Sequence, residues 1–139
     1  MQPETVSPPG RRLVVLVTAL VALGPVSTDL YLPSLPALTR DLGSDVASAQ
    51  LTLSLFLVAF ACCQLVYGPL SDRFGRRPVV LAGTVIYLAA TVACMLAPTM
   101  EALIAARFLQ AVGACAGPVL GRAIVRDIYG RDGAARVLA

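Results

Sequence analysis

The stretch YGPLSDRFGRRPVV (residues 67–80) puts one acid, three arginines, two glycines and two prolines into fourteen positions. Residues 51–70, which lead into it, hold no charge, and neither do residues 78–97, which follow. Two further runs complete the pattern. Residues 13–32 carry only Asp29, and residues 100–121 carry only Glu101 and Arg107. Each run is about twenty residues long, enough at ~1.5 Å per residue to cross a hydrocarbon layer of ~30 Å. Backbone amides have no water to bond there, so each run is predicted to be a helix. The charged stretch is therefore a turn between two membrane spans.

Composition agrees. The chain has 139 residues, 58% hydrophobic and 14% charged, with a mean hydropathy of +0.80. Water-soluble domains hold nearer a quarter of charged residues. The expected fold class is all-α integral membrane, with four transmembrane helices near 13–32, 50–70, 78–97 and 100–123. A cytoplasmic tail covers 1–12, a turn covers 68–78, and a cytoplasmic segment covers 126–139.

Cys62, Cys63, Cys94 and Cys115 all fall within predicted spans, where they read as small packing residues. There is no histidine, which argues against a zinc site. The net charge of +3 comes from arginines that flank spans, so it points to membrane orientation and not to nucleic acid. Arg11 and Arg12 before an apolar run resemble the start of an export signal, but three more spans follow and no clean cleavage site does.

Arginine placement orients the chain. Arg11, Arg12, Arg73, Arg76, Arg77, Arg122, Arg126, Arg131 and Arg136 share one side, leaving Arg40 opposite and Arg107 within a span. The positive-inside rule then predicts that both termini are cytoplasmic. PSLPALTRDLGSDVASA (33–49) and APTM (97–100) become the external connections. Gly75 is expected to reverse the chain by adopting φ > 0, and Pro78 suits the first turn of the next helix.

Topology alone would accept any basic cluster between spans two and three. The sequence Gly68-Pro69-Leu70-Ser71-Asp72-Arg73-Phe74-Gly75-Arg76-Arg77-Pro78 resembles, position by position, the loop 2–3 signature of the major facilitator superfamily. STDLYLPSLP (27–36) looks like its drug:proton antiporter branch, in particular the bicyclomycin-resistance (Bcr/CflA) subfamily. RFLQAVGACAG (107–117) is similar to that branch's span-four motif, with Ala111 where the motif has glycine. The resemblance implies a twelve-span fold of two six-helix halves, each made of 3+3 inverted repeats, of which these residues would be the N-terminal part. It implies proton-coupled multidrug efflux by alternating access in a bacterial inner membrane. The proton gradient would be the energy source, with no cofactor. The partners implied are a small amphipathic drug, protons, lipid and the C-terminal helices of the same transporter. Two readings outside this family are a dimeric four-helix multidrug transporter and a truncated, non-transporting membrane protein. A membrane enzyme would need clustered acids or histidines, which this chain lacks.

Asp29 is the sharpest candidate, because a carboxylate inside a span is costly without a purpose. Seventeen residues from Arg12, it lies ~25 Å along its helix, at a depth comparable to Arg107 on span four. Three readings stand. Asp29 carries the coupling proton with Arg107 shifting its pKa, or the two form a static pair, or Asp29 faces water near the external surface. The family resemblance makes Gly68, Asp72, Arg73, Gly75, Arg76 and Arg77 a cytoplasmic gate latch, with an arginine of the turn reaching Asp127. Gly68 is also expected to let another backbone come close. Gly113, Gly117 and Gly121 recur at four-residue spacing, as helix-packing grooves do. Gly24-Pro25 and Gly117-Pro118 occupy equivalent spans of the two repeats, as kinks beside a pathway would. Tyr31, Phe56, Phe60 and Gln110 are candidates to face a cavity.

Overall fold

The computed structural model describes the backbone of residues 11–138 and the side chains of residues 14–128. Of the expected tail 1–12, residues 1–10 lie outside the described residues. The elements are α1 (Arg11–Tyr31), a 3-10 turn (Leu32–Ser34), α2 (Leu35–Asp41), α3 (Val46–Phe74), α4 (Arg76–Met95) and α5 (Met100–Leu138). Four segments are long and apolar enough to cross a membrane: Val14–Asp41, Val46–Phe74, Arg76–Met95 and Met100–Ile128. They form the all-α, four-span unit.

Both long connections are more helical than expected. Residues 68–74 complete α3, and the turn to α4 is Gly75 alone, at φ 90° and ψ 154°. Only glycine adopts that backbone cheaply, so one residue suffices to end one helix and start the next. Pro78 sits in the first turn of α4, as anticipated. The connection 33–49 is mostly the 3-10 turn and α2, because Pro33 and Pro36 both occupy first-turn positions where no amide hydrogen is needed. Asp45 then caps α3, its carboxylate accepting from the Ser48 amide at 3.0 Å. At the other end α5 runs through to Leu138, so backbone 126–138 continues the fourth span as helix.

The other spans pack around α5, nearly all of which is buried over residues 111–121. Small residues make this possible. A Cβ on Gly117 would collide with the backbone of Leu20 on α1, and one on Gly113 with the backbone of Tyr87 and Gly83 on α4. Ala111 and Ala114 pack against Phe56 and Ala59 of α3, so alanine fits where the family motif has glycine. Leu65 (80% exposed), Val85 (64%) and Val15 (60%) point outward. Such a surface suits lipid, and close van der Waals contact at α5 then holds the helices together.

Candidate functional site

A cleft of about 340 Å³ opens between α1, α4 and α5, at the end of the bundle opposite Gly75. Leu30, Leu38, Met95 and Leu103 give it apolar walls, and Tyr31, Tyr87, Thr91, Arg107 and Gln110 give it polar ones. Its polar groups form connected chains. Gln110 Nε2 donates to Thr91 Oγ1 at 2.8 Å, and Thr91 donates to the Tyr87 carbonyl at 2.8 Å. Arg107 Nη1 donates to Gln110 Oε1 at 2.7 Å. Ser27 gives its only proton to the Leu23 carbonyl, so Tyr87 must donate to Ser27, at 2.6 Å, linking α4 to α1. By the same logic Thr52, bonded to the Ala49 carbonyl, accepts from Tyr31, which ties α1 to α3.

Arg107 is 3% exposed. Its Cζ lies 3.9 Å from the centroid of the Tyr31 ring and 4.7 Å from that of Phe56. Cation–π contact with desolvated rings is worth about 2 kcal/mol each, whereas burying an unpaired ion costs several kcal/mol. Nε and Nη2 of Arg107 have no hydrogen-bond partner, and neither of the two ion pairs among the described side chains involves it. The site therefore keeps a buried, partly unmatched positive charge.

The structure does not bring Asp29 and Arg107 together. Tyr31, which touches Arg107, is two residues beyond Asp29 on one helix, a rotation of about 200°. Asp29 is accordingly exposed on the far side of α1. A static Asp29–Arg107 pair is not among the ion pairs of the described side chains. Other expectations also change. Phe56 is 1% exposed and stacks with Phe60 at 6.1 Å inside the core, so neither ring lines the cleft. Gly24 is buried against Phe60, Gly113 and Gly117 serve helix packing, Pro118 is buried within α5, and Pro25 is exposed away from the cleft. Tyr31 and Gln110 do line it. Sequence reasoning missed Ser27, Thr52, Tyr87 and Thr91, which look like ordinary span residues until four helices converge.

At the opposite end, Arg76 joins three helices. Its Nε donates to Asp127 Oδ2 at 3.0 Å on α5, and its Nη1 pairs with Asp72 Oδ1 at 2.9 Å on α3 and also contacts Ser71. Arg73 lies over the Phe74 ring at 5.4 Å, and Arg77 is exposed. Gly68 departs from expectation, because a Cβ there would meet nothing within 4 Å. No backbone among the described residues exploits its small size.

Three spans packed on a glycine-lined fourth, with an acid–arginine cluster at the short 2–3 turn, define a four-helix membrane unit. The chain belongs to the Major Facilitator Superfamily, which it matches over residues 14–139. It is 43% identical over 121 residues to the MFS-type transporter YdgK of Bacillus subtilis, covering 86% of this chain and 30% of that protein. It is 42% identical over 120 residues to the chloramphenicol resistance protein of Pseudomonas aeruginosa, covering 86% and 29%. With multidrug resistance protein D of Escherichia coli it shares 36% over 119 residues, covering 86% and 30%. The chain thus spans about three-tenths of the length of these relatives.

Proposed function

We propose that this chain is the N-terminal part of a proton-coupled multidrug exporter of the bicyclomycin-resistance type. It would work by alternating access in a bacterial inner membrane, with the N-terminus cytoplasmic. The observation that carries this reading is the cleft itself, apolar-walled with a few fixed polar groups between α1 and α5. Such a site accepts amphipathic molecules by area and orients them by a small number of hydrogen bonds. The names of its relatives, which include multidrug and chloramphenicol resistance proteins, point the same way.

Asp29 is the proton carrier in this reading. It lies inside a span without an ion-pair partner among the described side chains, and an ionisable residue inside a span marks a functional site by default. Arg107 belongs to the same reading as the buried cation of the neighbouring cleft and makes no ion pair with Asp29. Arg76, Asp72 and Asp127 form the cytoplasmic latch, with Gly68 left open to the other half of the transporter.

The test uses everted membrane vesicles containing the protein as its gene encodes it, with a dye that reports the pH gradient. Adding chloramphenicol should release protons from the vesicle interior, and Asp29→Asn should abolish that release. Full proton-driven efflux by the Asp29→Asn protein would remove Asp29 from the mechanism.

A further inference from the structure

We propose that the cleft recognises amphipathic organic acids, with a carboxylate held on the free edge of Arg107. The inference rests on the transport reading only in taking this cleft as the ligand site. A guanidinium offers five donors. Here Nη1 is committed to Gln110, while Nε and Nη2 are both unpartnered. Those two atoms share one edge of the group, where their N–H bonds run parallel at the spacing of two carboxylate oxygens.

The neighbours preserve that edge. Gln110 cannot turn to serve it, since its amide nitrogen is bonded to Thr91 and Thr91 in turn to the Tyr87 carbonyl. The Tyr31 and Phe56 rings lie against the guanidinium and offer it no acceptor in its plane. Arg107 is a charged member of a cleft wall that holds no acidic side chain. A carboxylate bound there would neutralise a buried cation already held in place, so little ordering is lost on binding. Tyr31 is partly exposed and its hydroxyl is held by one bond to Thr52, which makes it the side chain a ligand displaces to reach the edge. Leu30, Leu38, Leu103 and Met95 receive the apolar body, and the volume suits a one-ring molecule.

Three probes with one body separate the possibilities: 4-phenylbutyrate, 4-phenylbutyramide and 4-phenylbutylamine, titrated by calorimetry into the whole protein in lipid nanodiscs. The acid should bind about tenfold or more tighter than the amide, with the amine weakest, as charge-assisted bonds require. Arg107→Gln should erase the acid's advantage. Arg107→Lys should keep the preference over the amine and lose most of that over the amide. Equal binding of acid and amide, an advantage that survives Arg107→Gln, or one kept whole in Arg107→Lys would overturn the proposal.

A second measurement needs no change at Arg107. Cys94 lines the cleft and Cys115 is fully buried, so Cys62→Ala with Cys63→Ala leaves Cys94 as the reactive thiol among the described residues, and the Cys94→Ala protein supplies the background rate to subtract. An anionic methanethiosulfonate should then modify Cys94 faster than a cationic one, each normalised to its rate with a small free thiol. The reverse order would overturn the proposal. Drug–proton exchange measured alongside distinguishes the two readings. Exchange without acid preference sinks this inference and leaves transport standing. Acid preference without exchange does the opposite.

Discussion

Arg76 bonds Asp127 across 3.0 Å and Asp72 across 2.9 Å, so one guanidinium joins the end of α3, the start of α4 and the fourth span. Asp127 is 52% exposed and Asp72 66%, and pairs this wet contribute at most about 1 kcal/mol each. Asp127→Asn should therefore lower the unfolding temperature of the detergent-solubilised protein only slightly, and less still at high salt. Asp72→Asn should match it in stability yet slow transport. Equal, small effects on both readouts would make the cluster purely structural.

Gly117 and Gly68 should respond oppositely to added bulk. Gly117→Ala drives a methyl into the Leu20 backbone, which cannot rotate away, and should cost about 1–3 kcal/mol in a denaturation titration. Gly68→Ala meets open space and should be neutral, or gain up to about 1 kcal/mol from helix propensity. Loss of transport by a stable Gly68→Ala protein would show that another helix closes on this position.

Thr91→Val keeps the shape of the side chain and removes the hydroxyl that holds Gln110. A buried amide left without its partner costs about 1–3 kcal/mol. The variant should be less stable by that amount, and Cys94 should react faster as the cleft loosens. Unchanged labelling would mean that Gln110 is held by packing alone.

Asp45 gives a pH test at the start of α3. Its pKa is held below the ordinary aspartate value by the hydrogen bonds it accepts from Ser48. The sign follows. The cap contributes fully above the unfolded pKa and is lost as pH falls through the lower folded value. Amide exchange in the first turn of α3 should rise only in strong acid, and Asp45→Asn, which keeps a cap, should remove that dependence.

Much of the architecture was legible in the order of residues. Four apolar runs of about twenty residues, two of them without any charge, name four helices whatever their neighbours, because lipid offers the backbone no other partner. Gly75 could be read as the turn because it needed a backbone that other residues avoid. The extent of the helices around it could not be read. Residues 71–74, with Asp72 and Arg73 among them, look like loop, yet they extend α3 because the turn needs only one residue.

The site was legible only in part. Arg107 and Gln110 were visible as a motif, and Asp29 as an anomaly. Whether Asp29 meets Arg107 depends on the rotation of α1 about its axis, which the Leu20–Gly117 crossing and the Tyr31–Thr52 bond set. Those contacts join residues 97 and 21 positions apart. The sequence by itself determined that this chain crosses a membrane four times, with its arginines gathered to one side, because hydropathy and charge act within each segment. Only the tertiary structure decided that Asp29 faces outward while Arg107 keeps an unmatched edge inside, because side-chain direction is settled where helices touch.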